Sequence, residues 1–235
     1  MTEKTPKSIM IRLPKGLREN AEKFGVDLKK TNSWVISLIK YKISEKRYDN
    51  FYYLPKLKLR GKPLWIRLRD GRRLEIVSEE KPYKGNSKLR RISVTATYNK
   101  KFAGNVTLRK QPITPNKKVR EVGYGTQKAF RGLGLSYFLM YMAAKAAKKN
   151  GINIILGSML YGTNSSKNDK ISVHLFEKCS GVKIGVFKKI VFNPYTHKHL
   201  DLIYMQADTA KVIKETAKLW RSKGITIINK HKIKP

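Results

Sequence analysis

Hydrophobic positions change their period along the chain. Residues 8–13 alternate, with Ile9, Ile11 and Leu13 on one face and Ser8, Met10 and Arg12 on the other, which is the period of a strand. Pro14 ends it. From Lys15 to Phe24, Leu17, Ala21 and Phe24 fall on one helical stripe, and Gly25 follows where a C-terminal glycine cap belongs. Thr31 or Asn32 can cap a second helix, with Trp34, Val35, Leu38, Ile39 and Ile43 as its apolar face. Residues 1–46 thus form a small β-α-α unit. It has little apolar surface to bury alone, so dimerisation through the strand, within residues 7–46, is expected. Residues 47–60 are aromatic and basic without a clear period and read as a linker.

From Leu64 the pattern turns β-rich, with helices following only later, and predicts an α+β domain over 61–235. Strands Leu64–Leu68 and Arg73–Val77 flank Arg69-Asp70-Gly71-Arg72, a hairpin signal. Arg91–Tyr98 and Gly104–Lys110 flank Asn99-Lys100-Lys101, a second one. Val119–Thr126 is a further strand, followed by a glycine-rich turn and a long helix from Gly134 to Lys149 that Gly151 stops. Ile152–Met159 is a buried strand by its apolar run. A polar loop over 162–169 leads to a helix, Ile171–Cys179, and strands follow at Lys183–Phe192 and Leu200–Ala207. Asp208 caps a last helix to Ser222, ahead of a short strand at Ile225–Ile228 and a basic tail.

Charge changes the picture. Against 16 Asp+Glu the chain carries 52 Lys+Arg, a net charge of +36. Residues 1–60 contribute 15 basic and 6 acidic side chains, so both parts share the excess. From Lys81 to Arg120 there are twelve Lys+Arg and no Asp or Glu. Such a field draws polyanions, nucleic acid first and anionic membrane surface second; a strongly solvated surface is the plainer alternative. The run Leu133–Ala147 is too short and too amphipathic to cross a bilayer, and the N-terminus has no apolar core of a secretory signal. No membrane partner is expected. One cysteine, Cys179, allows no intrachain disulfide, which fits a reducing cytoplasm. No His, Cys and carboxylate spacing suits a metal.

The candidate chemistry sits between Val119 and Gly151. A strand runs into Arg131-Gly132-Leu133-Gly134-Leu135-Ser136 and directly into a helix. Glycines let a ligand approach the backbone, and the helix start offers free N–H groups and a positive dipole end. Arg131 adds charge-assisted bonds. That combination suits a pyrophosphate. Neither the G-x-G-x-x-G spacing of dinucleotide folds nor a G-K-[ST] loop is present.

The form R-x-x-G-x-small between strand and helix resembles the acetyl-CoA loop of the GNAT superfamily of N-acetyltransferases, over roughly residues 61–207. The resemblance implies a mixed, mostly antiparallel sheet flanked by helices, with acetyl-CoA as cosubstrate. It implies that Arg131, Gly132, Leu133, Gly134, Leu135 and Ser136 bind the pyrophosphate. It also implies that the backbone at Tyr124 and Thr126 pairs with the pantetheine arm, with an oxyanion donor near Thr126. Glu121 matches the family's general base, and an ion pair with a neighbouring Lys or Arg is its other reading. The family's general-acid tyrosine falls on Phe176, which has no proton to give; Tyr161, Ser172 and His174 are nearby candidates. The gap from Val77 to Arg91 is too short for the helices that line the family's acceptor site, so an open, basic acceptor cleft is expected.

The first unit, with its I-x-I-R-L-P strand, resembles a ribbon-helix-helix DNA-binding module. That implies a homodimer whose Ser8, Met10 and Arg12 face the bases of DNA. Together these features describe a cytoplasmic or nucleoid-associated acetyltransferase acting on an amine of a nucleic-acid-associated acceptor, either an aminoacyl-tRNA or a lysine of a DNA-associated protein. The alternative is a non-enzymatic DNA-binding protein of a plasmid, phage or virus with a degenerate GNAT scaffold.

Overall fold

The computed structural model describes residues 56–83, 86–110, 118–161, 167–193 and 198–228. The chain divides into two compact units, 1–54 and 55–235. The β-α-α expectation, with Ser8, Met10 and Arg12, lies outside the described residues.

In the second unit the described strands form one sheet: β1 (Leu64–Arg67), β2 (Arg73–Tyr83), β3 (Asn86–Tyr98), β4 (Lys101–Arg109), β5 (Val119–Thr126), β6 (Ile154–Tyr161), β7 (Val182–Asn193), β8 (Lys198–Asp208) and β9 (Thr226–Ile228). Their spatial order is β7-β8-β6-β5-β4-β3-β2-β1-β9. Among the described residues β5 and β6 pair in parallel and every other neighbouring pair is antiparallel. The expected mixed, mostly antiparallel sheet is present. Three α-helices are interleaved with its later strands: α1 (Leu135–Lys149) between β5 and β6, α2 (Lys167–Lys178) between β6 and β7, and α3 (Thr209–Ser222) between β8 and β9.

The alternation of side chains along each strand decides where the core sits. Cross-strand partners carry one apolar row from Ile76 to Ala96 and another through Ile92, Leu108 and Val122. All five are buried. Against this face α1 presents Phe138, Leu139, Met140, Ala143 and Ala147, also buried. The opposite face is polar, running Glu79, Ser93, Thr107, Gly123 across four strands. Thr126 and Tyr124 stand two apart on β5 and so share a face. Thr126 Oγ1 meets Ser136 Oγ of α1 at 2.8 Å, and Tyr124 reaches α2. Both helices therefore cover the same side. Helix α3 lies along α1, with Trp220 edge-on to Phe138 at 5.3 Å between ring centroids. Asp208 caps α3 as expected, its Oδ1 accepting from Lys211 N at 2.9 Å.

Two expectations need correcting. Strands expected to end at Val77 and begin at Arg91 run further: β2 continues to Tyr83 and β3 begins at Asn86, pairing as a long hairpin. Pro82 lies inside β2, at a register shift between Pro82 and Tyr83, which is where a sheet tolerates proline. Helix α2 starts at Lys167, four residues before the expected Ile171, so the polar loop is shorter. The last residues of the expected linker pack on the β3–β4 turn. Lys56 bridges Lys101, and Leu57 N donates to Lys100 O at 2.6 Å.

Candidate active site

Pairing between β5 and β6 covers Val119, Arg120 and Glu121 against Ile154, Ile155 and Leu156, and then stops. Beyond it β5 continues to Thr126 and β6 to Tyr161, so the two strands part and the facing edge of β5 has no strand partner. A cavity of about 240 Å³ fills the opening. Its walls come from both sides of the sheet. Val122, Tyr124, Met159 and Ser172 line it on the helix side, and Arg109, Gly123 and Ser158 on the polar side. The sheet is in effect pierced here.

Tyr124 spans the opening. Its hydroxyl donates to Ser172 O of α2 at 2.5 Å. Burial, the largest influence, pushes the phenol above its ordinary range, so it serves as a neutral hydrogen-bond donor. The sequence assigned Tyr124 a backbone role; its side chain was not foreseen.

Glu121 sits on the polar face beside the opening, 7% exposed. Arg109 Nε lies 3.2 Å from its Oε2, and Ser158 Oγ donates a short hydrogen bond to Oε1. The ion-pair reading of Glu121 therefore holds, and a further group joins it. Ser158 faces the cavity and links it to the carboxylate. Neither partner is apparent from sequence, because Arg109 comes from β4 and Ser158 from β6, 12 and 37 residues away.

At the end of β5 the chain makes a short 3-10 turn, Lys128–Phe130, and enters the glycine-rich segment. Gly132 and Gly134 both take positive φ, 77° and 84°, a conformation that other residues adopt only with strain. Gly134 is the N-cap of α1; no side chain caps it, and the first turn carries no acidic residue. The first backbone N–H groups and the dipole of α1 thus have no capping side chain and no acidic residue in the first turn to offset them. Arg131 is exposed, and its Nε donates to Thr126 O at 3.2 Å. Leu135 is buried, Leu133 half-buried, and Ser136 holds Thr126 as described. The turn also has a neighbour that the motif does not contain: a Cβ at Gly134 would lie 2.6 Å from Lys223 Cβ.

Phe176 is fully buried, its ring against Gly157 and Gly181, and it does not line the cavity. His174 is exposed, 4.0 Å from Glu177. The side chain of Tyr161 lies outside the described residues. Cys179 is buried, as its apolar setting predicts, and burial pushes its thiol up to about 12. Among the described residues no cluster of His, Cys, Asp and Glu could hold a metal, and no helix is long and apolar enough to cross a membrane.

No family model and no curated protein matches the chain. Solved structures do, in part. A protein assigned as a phosphinothricin N-acetyltransferase is 26% identical, covering 50% of this chain and 71% of that one at a TM-score of 0.43. An acetyltransferase of the GNAT family from Streptococcus pneumoniae is 19% identical, covering 50% and 67% at 0.43. A protein from Salmonella typhimurium, solved with its cofactor acetyl-CoA, is 14% identical, covering 51% and 65% at 0.43. The class that recurs among them is acetyltransferase. Likeness at this level leaves half of the chain without a counterpart, so what the domain does has to follow from its own geometry.

Proposed function

We propose that residues 61–235 are a GNAT-type, acetyl-CoA-dependent N-acetyltransferase whose acceptor amine belongs to, or is delivered by, nucleic acid. The observation that carries this is the pierced sheet. An opening between two parting strands leads through the sheet, and an uncapped helix N-terminus stands beside the end of β5. The segment Arg131–Ser136 suits a pyrophosphate, and the free edge of β5 around Tyr124 and Thr126 suits an amide-bearing arm. Acetyl-CoA, when bound, supplies an activated acyl group as a thioester.

The chain's own residues then have three tasks. The free edge and the turn fix the thioester in the opening, which lowers the barrier by orientation. A backbone N–H near Thr126 stabilises the oxyanion. The attacking amine loses its proton to Ser158 Oγ, which passes its own to Glu121; the new C–N bond replaces the C–S bond, and the thiolate takes a proton from water. Phe176 offers none. A CoA-type thiol is acidic enough to leave without a dedicated acid.

The acceptor follows from charge. A net +36, with no acidic residue from Lys81 to Arg120, favours a polyanion or something bound to one. Aminoacyl-tRNA and a lysine of a DNA-associated protein both qualify. Residues 1–46 complete the proposal as a dimerising ribbon-helix-helix module using Ser8, Met10 and Arg12, in the cytoplasm or on the nucleoid. Buried Phe176 favours one competing reading, a DNA-binding protein whose second domain binds CoA without turnover.

Calorimetry with acetyl-CoA, and transfer of labelled acetyl to charged tRNA and to a histone-like protein in parallel, decide between them. Binding at micromolar level with transfer is expected. With a lysine acceptor, Glu121→Gln should lower the rate on the order of a hundredfold. The loss should be much smaller with an aminoacyl ester, whose amine is less basic. Heat of binding without transfer selects the competing reading, and neither heat nor transfer overturns both.

A further inference from the structure

A second, larger cleft of about 890 Å³ lies at the other end of the strands. The β1–β2 and β3–β4 turns enclose it. Trp65 and Tyr98 supply aromatic walls, Glu75 lies on the polar face between them, and Arg72, Arg73 and Lys100 surround it. Glu121 pairs with Arg109 and Glu75 with Thr97. These rows are six residues apart along β3, about 20 Å at the rise of a strand.

The lining groups differ in what they have left to offer. Arg72 is engaged: it binds Asp70 at 2.5 Å, donates to Ala129 O at 2.9 Å and lies 4.4 Å from the Phe130 ring centroid. Asp70 is thereby neutralised. Tyr98 meets Phe130 edge-on at 5.8 Å. Trp65, by contrast, is half-buried, and among the described residues its indole makes no hydrogen bond or ring contact. Arg73 and Lys100 are exposed and have no ion pair among the described residues. Glu75 accepts a long bond from Thr97 Oγ1 at 3.4 Å on one oxygen, which leaves the other available.

We propose that this cleft is a nucleobase pocket for single-stranded nucleic acid: an unpaired base stacks on Trp65, its exocyclic amino group donates to Glu75, and the flanking phosphates lie against Arg73 and Lys100. An uncommitted indole flanked by cations is the combination that single-strand binders use. A carboxylate would repel a bare phosphate, but it accepts from a base amino group. The separation from Glu121 suits an acceptor large enough to be gripped at one place and modified at another. The pocket rests on the proposal of a nucleic-acid-associated acceptor and not on the acyl-transfer step.

The test uses the full chain and a fluorescein-labelled oligoadenylate at physiological salt, followed by anisotropy. Trp65→Leu should weaken binding roughly tenfold, within the range of one stacked base, and Trp65→Phe should retain most of it. An abasic strand of the same length should bind wild type and Trp65→Leu alike. Glu75→Gln should reduce any preference for adenine over uracil. Unchanged oligonucleotide affinity in a folded Trp65→Leu protein overturns the proposal. So does loss of acetyl-CoA binding in place of oligonucleotide binding, which would assign the cleft to the adenosine of CoA. Should Trp65→Leu fail to fold, ultraviolet crosslinking of wild type to an oligoadenylate carrying 8-azidoadenosine replaces it. The adduct belongs on the peptide of Trp65 or Tyr98, and adducts confined to other peptides overturn the proposal. Oligonucleotide binding that persists while no acetyl transfer is found would count against the enzyme alone.

Discussion

Tyr124 on β5 donates its hydroxyl to the carbonyl oxygen of Ser172 on α2 at 2.5 Å, across the place where β5 and β6 part. This bond ties the two banks of the opening together. Tyr124→Phe keeps the ring and removes the tie. It should cost ~1 kcal/mol of stability and weaken acetyl-CoA binding by widening the opening. Chemical denaturation and calorimetry on the same variant measure both. Unchanged CoA affinity would show that the tie does not set the width.

Gly134 and Lys223 meet at the glycine-rich turn. Gly134→Ala must hold an alanine at a φ of 84° with its Cβ 2.6 Å from Lys223 Cβ. A loss of roughly 2 kcal/mol is expected from the left-handed backbone and the overlap together. Lys223→Gly in the same chain removes the overlap and leaves the backbone strain, so it should restore part of the loss. Urea melts of the single and double variants test this; no restoration would place the whole penalty in the backbone.

Asp70 has its carboxyl held below the ordinary 3.8, chiefly by the hydrogen bond from Arg72. A native value below the unfolded one means that the contribution is complete above 3.8 and is lost as pH falls through the native value. The stability difference between wild type and Asp70→Asn should therefore be constant from neutrality to about that point and vanish in stronger acid. Asp70 is exposed, so the difference is small. Paired denaturation series across acid pH check the direction.

Cys179 is the single cysteine of the chain, and burial raises its thiol to about 12. The thiolate is the reactive form. Ellman's reagent at mildly alkaline pH should leave the native protein untouched and titrate one thiol in denaturant. Rapid labelling of native protein would contradict the burial.

The sequence makes some elements legible because the signal is local. Strand Val119–Thr126 has its expected bounds, and Asp208 caps α3 through its own side chain. The glycine turn is recognisable because only glycine takes its backbone angles without strain. The β2–β3 hairpin was obscured by Pro82, which breaks a strand in isolation but is tolerated at a register shift. The first turn of α2 is polar and has no apolar period to betray it. The site was half visible: Glu121 stood out as the one acidic residue between Glu80 and Asp169, but its partners come from strands that the fold brings beside it. Trp65 could not be weighed from sequence, since an indole with no partner is a fact about neighbours.

The three-residue parallel pairing of β5 and β6 has a mechanical meaning. A sheet is as strong as its narrowest seam, and this one divides β7-β8-β6 from the six strands on the other side. Past Leu156 the two plates are joined by side chains, through Ser158 to Glu121 and through Tyr124 to Ser172, in place of a backbone ladder. An extended molecule entering the seam takes the position of a missing strand. It would lock the plates, and hydrogen exchange along β5 and β6 would slow on both banks at once.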